Sequence, residues 1–232
     1  MSDLPPGFLA VLVFGLILAL LSLPLIEIRR KQIRQMADTC SELARKTGLN
    51  YIAPVMSLPG ILFSFRWTFR NAAAQGLYRS RGTSLSMTGS GGGWSGEYAE
   101  NPPVQYCVVE LEVRNSTGFK LTISPRWILS RLFDRSDAIT GDKRFDQRLI
   151  IQGKPLDFLE QVSGFIRLTN PSLLAWMIEE QPRISLRGPK LSCKQGLMKN
   201  LDDQIAVLNF LCDLADFTER NGSNSAVGMM TW

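Results

Sequence analysis

A glycine-rich stretch, GSGGGWSG at 89–96, is where residue types and spacing first suggest chemistry. Three of its glycines match the G-x-G-x-x-G pattern of nucleotide-phosphate loops: Gly91, Gly93 and Gly96. That pattern holds a phosphate when it joins a parallel strand to the N-terminus of a helix. Here the polar segment 81–88 precedes it, and 97–103 follows it and ends in two prolines, which does not predict a helix start. We therefore interpret the stretch as an exposed connection between two strands and expect no bound cofactor.

Aromatic residues in and near this stretch fit a different role, the docking of a protein partner. Exposed aromatic side chains are enriched at protein–protein interfaces. Trp94 and Tyr98 lie in this connection, and Trp127 lies in PRWILSRLFDR at 125–135, where arginines alternate with apolar residues. The second segment either lies on a membrane surface or packs into the core as a linker helix. No nucleic-acid-binding motif accompanies it, so we expect partner docking at Trp94, Tyr98 and Trp127 and no nucleic acid.

The two closely spaced carboxylates Asp142 and Asp146 could suggest a metal site. They lie in ITGDKRFDQRLIIQG at 139–153, which offers no further set of oxygen ligands. Two carboxylates alone fall short of a magnesium or calcium shell. A turn at Gly141 and Asp142, followed by a strand from Phe145 to Gln152, accounts for the pattern better. We expect no metal here.

The chain resembles a group of bacterial proteins of unassigned role. Two motifs carry the resemblance: a Leu-Ala-x-x-x-Gly-like helix end at Leu43, Ala44 and Gly48, and a Gly-Asp-x-x-Phe-Asp strand entry at Gly141, Asp142, Phe145 and Asp146. The layout of most of the chain is similar as well, including one N-terminal membrane span. The resemblance implies a membrane-anchored protein and no known activity.

The complete absence of histidine removes Ser-His-Asp and Cys-His catalysis and imidazole metal ligands. The four cysteines form no C-x-x-C pair, so neither a zinc ribbon nor a thioredoxin-type site is encoded locally. Each falls on the apolar side of its own segment: Cys40, Cys107, Cys193 and Cys212. The sequence therefore predicts four buried, reduced thiols and no catalytic, cofactor-binding or metal-binding residues.

An uncharged stretch of 20 residues, 7–26, is the strongest signal in the chain. At about 1.5 Å per residue, a helix of that length covers about 30 Å of hydrocarbon, so we predict an uncleaved transmembrane helix. No Lys or Arg precedes it, and four cations follow it: Arg29, Arg30, Lys31 and Arg34. The positive-inside tendency places the N-terminus outside and the remaining chain in the cytoplasm. The same four cations fit contact with an anionic membrane surface.

Helical spacing of apolar residues continues from this stretch to Thr47, where Gly48 predicts a helix end. Two-residue alternation then predicts strands from Ile61 to Phe69 and from Val104 to Val113. A turn at Asn115 to Gly118 and the apolar residues Phe119, Leu121 and Ile123 predict a return strand that closes a hairpin. Weaker strand signals cover 51–56 and 77–81.

Past Pro125 helices alternate with strands. We predict a short helix over 127–133, a helix from Leu156 to Leu168, and a helix from Pro171 capped by Asn170. A second hairpin turns at Gly188 and Pro189 between 184 and 193. A long helix capped by Asn200, with acidic residues in its first turn, ends near Arg220.

The predicted fold class is α+β, with one N-terminal transmembrane helix followed by an antiparallel-sheet-rich cytoplasmic domain with a long C-terminal helix. The chain divides accordingly into an anchor (1–28), a juxtamembrane helix (29–48), a β-rich part (49–124), an α+β part (125–220) and a flexible tail (221–232).

The anchor and the lack of a convergent catalytic set favour a single-pass membrane protein whose cytoplasmic domain binds another protein, as a scaffold or assembly subunit without catalysis. The expected partners are the lipid bilayer and a protein. Two other interpretations stay open. One is sensing of an anionic lipid surface through basic segments, which the net charge of +5 favours. The other is an enzyme of a type that the sequence does not reveal.

Overall fold

The computed structural model describes residues 33–56, 69–70, 72–89, 105–126, 138–196 and 200–228, with Val13, Glu27 and Lys31 as single positions. The helices within these ranges are α1 (33–47), α2 (Lys143–Arg148), α3 (Leu156–Arg167), α4 (Pro171–Glu180) and α5 (Leu201–Gly228). The strands are β1 (Asn50–Ile52), β2 (Val55–Met56), β3 (Phe69–Arg70), β4 (Ala72–Tyr78), β5 (Arg81–Gly89), β6 (Gln105–Glu112), β7 (Lys120–Pro125), β8 (Leu149–Lys154), β9 (Arg183–Arg187) and β10 (Lys190–Gly196).

Eight of these strands form one sheet in the order β1-β4-β5-β6-β10-β9-β7-β8. Every neighbouring pair in it is antiparallel. β2 and β3 pair with each other in a second, two-stranded sheet. Because β6 pairs with β10, the large sheet joins strands from 49–124 to strands from 125–220. Both parts of the chain contribute to one hydrophobic core.

The large sheet has two different faces because apolar and polar residues alternate along its strands. On the core face, Cys107, Val109 and Leu111 of β6 are buried beside Leu191 and Cys193 of β10. Helices α1, α3 and α5 contribute buried residues to the same core. The side chains between these positions, mostly Ser, Thr, Lys, Arg and Glu, lie on the opposite face, which we call the outer face.

In the part of the chain that the structure describes, no helix has both the length and the apolar character needed to cross a bilayer. By this finding the predictions of a transmembrane helix and of a single-pass protein with its N-terminus outside and its domain in the cytoplasm are wrong. Residues 7–26, which carried them, lie outside the described residues apart from Val13. The rest of the predicted fold class, an α+β domain rich in antiparallel sheet with a long helix near its C-terminus, agrees with the structure.

The hairpin predicted between β6 and β7 is also wrong. β6 pairs with β5 and β10, whereas β7 pairs with β8 and β9. The turn that suggested the hairpin is closed locally, because the Asn115 side chain accepts from the Phe119 N–H at 2.9 Å and donates to the Phe119 carbonyl at 2.7 Å. Alternation identifies a strand, but tertiary packing selects its neighbour.

Three other segments differ from prediction. The segment 81–88, described from sequence only as polar, belongs to strand β5, whose outer-face residues include Ser84 and Ser86. The strand predicted from Phe145 begins as helix α2, and β8 starts at Leu149. The strand signal at 77–81 contains the Arg79-Ser80 turn between β4 and β5, and α5 continues past Arg220.

Several local predictions are confirmed. α1 ends at Thr47, and Gly48 adopts a φ of +73°, while the Leu49 N–H bonds to the Ala44 carbonyl at 2.9 Å. α3, α4 and the β9–β10 hairpin form where they were predicted. The strand predicted from Ile61 lies outside the described residues except for Phe69, and so does the helix predicted over 127–133.

The four cysteines are buried and unpaired, as predicted. Burial raises the pKa of the Cys107 thiol to about 12. It raises the pKa of Cys40 and of Cys212 to about 11. Thiols held in this way are protonated and unreactive at neutral pH.

Two glycines on neighbouring elements should respond oppositely to alanine. At Gly153 of β8, an added Cβ would overlap the backbone carbonyl of Lys120 on β7. At Gly164 in α3, an added Cβ meets no atom within 4 Å. We expect Gly153→Ala to lower the free energy of unfolding by about 2 kcal/mol through overpacking, and Gly164→Ala to raise it by about 0.5–1 kcal/mol. Urea denaturation measures both. Equal effects would contradict the β7–β8 contact.

Candidate functional site

A groove of about 1000 Å³ opens between α3, α4 and α5 on the helical side of the domain. Its apolar wall comes from all three helices: Phe165, Leu168, Leu173, Trp176, Val207 and Phe210. Four carboxylates also line it: Glu179, Glu180, Asp203 and Asp213. No Lys or Arg is found among the described residues of the lining, so the groove combines apolar surface with negative charge.

α4 forms one wall of the groove, and hydrogen bonds at both ends of the helix hold it in place. The Asn170 side chain accepts from the Ser172 N–H at 2.9 Å, and Pro171 occupies the first turn, where its missing N–H costs nothing. The helix ends at Gln181, whose left-handed φ of +47° brings its N–H to the Met177 carbonyl at 3.1 Å. Met177 and Ile178 are thereby buried, while Ala175 and Glu179 stay exposed along the groove.

α5 forms the opposite wall and covers the sheet at the same time. Leu208, Leu211 and Ala215 are fully buried, whereas Asp203 and Ala206 are exposed and line the groove. The floor connects α3 to α5 through aromatic rings. The Phe165 ring stacks on Phe210 with a centroid distance of 6.0 Å, and it lies 4.9 Å from the Phe217 ring.

An ion cluster between the β4–β5 turn and α5 fixes the helix in register. Arg81 donates to both carboxylate oxygens of Glu219, at 2.6 and 3.0 Å, and also contacts Asp216. Arg79 bonds to Asp213 at 2.7 Å. The hydrogen bond to Glu219 raises the pKa of Arg81, whose side chain is only 12% exposed. The same bond lowers the pKa of Glu219, which also accepts from the Arg114 N–H at 2.7 Å.

The turn that delivers these arginines has an uncommon backbone. Arg79 and Ser80 have φ values of +49° and +65°, which Asn and Gly adopt more readily in two-residue hairpin turns. The turn is held against α5 by Arg79 and by the Tyr78 hydroxyl, which donates to the Asn209 side chain at 2.8 Å. Both α5 partners, Asn209 and Asp213, also line the groove. The groove wall is therefore anchored directly to the sheet.

Asp142 and Asp146, which the sequence analysis considered and rejected as metal ligands, have structural roles. Asp142 caps α2 by accepting from the Arg144 and Phe145 N–H groups at 2.8 and 3.2 Å. Asp146 accepts from the Thr140 hydroxyl at 2.8 Å and from two backbone N–H groups of the preceding turn. Within the described ranges no group of three or more His, Cys, Asp or Glu residues could hold a metal ion. The Gly-Asp-x-x-Phe-Asp motif thus closes a turn and starts a helix.

The other residues singled out from sequence are not among the described residues that line the groove. The candidate docking residues Trp94, Tyr98 and Trp127 lie outside the described residues, as do the glycine-rich stretch beyond Gly89 and the cations Arg29 and Arg30. Lys31 and Arg34 lie on helical backbone and are exposed. These roles stay predictions.

Sequence reasoning missed the groove because its walls come from three helices that meet only in the folded chain. One signal was present. α4 has the sequence PSLLAWMIEE, with five large apolar residues in a row broken only by Ala175, which is more than one buried face requires. The apolar residues of α4 beyond its buried face, including Trp176, line the groove.

Comparison with known proteins gives little further information. No protein-family model and no curated protein matches the chain. Among solved structures, the fold is similar to the mycobacterial trehalose monomycolate transport factor A, TtfA, with a TM-score of 0.46 and 11% sequence identity over 79% of this chain and 94% of that chain. A likeness this distant carries no information about function.

The ion cluster predicts a pH-dependent loss of stability. The pKa of Glu219 is lowered in the folded state, so its contribution is fully present above the unfolded pKa of about 4.3 and disappears as the pH falls through the folded pKa. We expect Glu219→Gln to lower the free energy of unfolding by about 1–3 kcal/mol at pH 7 and by progressively less below about pH 4. Denaturant unfolding at several pH values measures this. Glu42→Gln, at an exposed position of α1, is the control and should change stability by less than about 0.5 kcal/mol. A pH-independent effect of Glu219→Gln would contradict the assignment.

Proposed function

We propose that this domain is a protein-binding module, acting as a scaffold or assembly subunit rather than as an enzyme, and that the groove between α3, α4 and α5 is its docking site. The supporting observation is the combination of an apolar floor with four carboxylates, of which Asp213 is paired with Arg79, and no cation among the described lining residues. The partner that complements this surface is a protein segment carrying both apolar residues and Lys or Arg.

The dimensions and composition of the groove suit a chain segment. Its volume of about 1000 Å³ lies at the upper end of the range typical of small-molecule pockets, and residues of α3, α4 and α5 line it. Helical segments commonly bind in such grooves with their apolar side chains inward. Ala175 and Ala206 are small and exposed on opposite walls, which leaves room for a backbone to approach closely.

The charges set specificity. Asp203 and Glu179 are exposed on opposite walls, and neither has an ion pair in the groove among the described residues. Asp203 and Glu179 are therefore available to a cationic partner at the rim of the apolar floor. Rim charges of this kind steer association and select among partners more than they add affinity.

Two kinds of variant test the proposal in the full-length chain. Ala206→Phe fills the groove from an exposed position, and we expect it to abolish co-purification of the partner protein while the fold is retained. Asp203→Lys combined with Glu179→Lys should weaken capture about tenfold or more by charge repulsion. Quantitative mass spectrometry of the purified complexes measures both effects.

Glu160→Lys is the matched control, because Glu160 is exposed on α3 and lies outside the groove. It makes the same change of charge as either single substitution of the double variant and should leave capture unchanged. Partner recovery that is the same for Ala206→Phe and for the wild-type chain would rule out docking in the groove.

A further inference from the structure

The outer face of the sheet carries a row of four cations on four adjacent strands. Lys190 of β10 is opposite Arg187 of β9, and Lys120 of β7 is opposite Lys154 of β8. Because Leu121 pairs with Leu186, the register also brings Lys120 opposite Arg187. All four residues are exposed. At about 4.8 Å between strands, this cation row spans roughly 15 Å.

A row of like charges on neighbouring strands opposes folding. Like charges directly opposite each other on a sheet destabilise it. The four cations of the row form three consecutive cross-strand pairs, and both members of every pair are positive. Lys194 and Arg183 form a further pair of opposed cations on β10 and β9, four residues along the strands. The pairing of Ser192 with Ser185, whose hydroxyls lie 2.8 Å apart, separates the two groups.

Acidic residues of the described outer face do little to neutralise the row. Lys190 lies 3.4 Å from Glu110, but both side chains are exposed, so the pair contributes little. Glu112 is opposite Lys190 in register, yet its carboxyl group lies over Gly82 of β5, on the side of β6 away from β10. Among the described residues, Lys120, Lys154 and Arg187 have no ion pair with a carboxylate. An anionic ligand would supply the missing charge.

We propose that the cation row binds the surface of an anionic phospholipid bilayer. The row is exposed and lies at one end of the sheet, so its members reach a plane of phosphate groups together rather than a single ion in a pocket. Each Lys or Arg near such a surface contributes about 1 kcal/mol.

A phospholipid surface fits this face better than a single-stranded nucleic acid does. Binding of single strands relies on aromatic side chains that stack on bases. Among the described outer-face residues of the strands around the row, Tyr106 supplies the aromatic ring. The Lys194 ammonium covers that ring, 4.3 Å from its centroid. The centre of the face is instead built from hydroxyl groups.

The test is a lysine footprint on the full-length, unaltered chain. Acetylation is measured by mass spectrometry with vesicles of phosphatidylcholine alone and with vesicles that also contain phosphatidylglycerol. We expect phosphatidylglycerol to protect Lys120, Lys154 and Lys190, and to leave the exposed Lys143 of α2 as reactive as before. Unchanged reactivity of the three lysines would overturn the proposal. Equal protection by inorganic phosphate, or stronger protection by a single-stranded oligonucleotide or a poly-glutamate peptide, would overturn it in favour of that ligand.

A charge-neutral variant gives an independent measure. Arg187→Gln combined with Lys190→Gln should weaken the additional binding that phosphatidylglycerol confers by about 30-fold, since two contributions of about 1 kcal/mol are lost. It should leave the thermal midpoint unchanged or raise it, because a repulsion is removed. Arg144→Gln combined with Arg167→Gln removes two exposed cations elsewhere and should have little effect on binding. Equal losses in both double variants would show that net charge alone is responsible and would contradict a site at the row.

Discussion

The packing of α5 on the core face of the sheet is the contact on which the rest of the structure depends. Leu208, Leu211 and Ala215 are fully buried there, but apolar packing alone has little directional preference. The ion cluster supplies direction, because Arg81 binds Glu219 in bidentate geometry and is largely shielded from solvent. Because the ion cluster fixes the position of α5 on the sheet, the same face of α5 always lies toward α3 and α4. The groove forms between that face and these two helices.

The sheet separates two surfaces of opposite charge. On the helical side, the groove presents carboxylates around an apolar floor. On the outer face, the cation row crosses β10, β9, β7 and β8. A protein segment in the groove and an anionic surface at the row would therefore not compete for space. The two proposals rest on different residues, and either can fail without affecting the other.

Local signals were sufficient to predict much of the fold. The Asn170-Pro171 start of α4 and the turn between β9 and β10 depend on neighbours in sequence and were confirmed. Strand partners and surfaces depend on contacts between distant parts of the chain. The turn after β6 therefore suggested a hairpin that does not form, and β5 was missed because its outer face is polar. The groove could not be predicted for the same reason, since α3, α4 and α5 meet only after folding.

The most direct measurement is site-specific photocrosslinking in cells of origin, with a benzophenone amino acid at Ala206 in the groove and, separately, at Glu160 outside it. The account predicts that crosslinking at Ala206 joins the chain to one protein, that it does so through a peptide containing apolar residues and Lys or Arg, and that Glu160 gives no such product. Three results would contradict the proposal that the groove receives a cationic, apolar segment. Ala206 could give no crosslink, it could give crosslinks as diverse as those at Glu160, or it could crosslink to an acidic peptide.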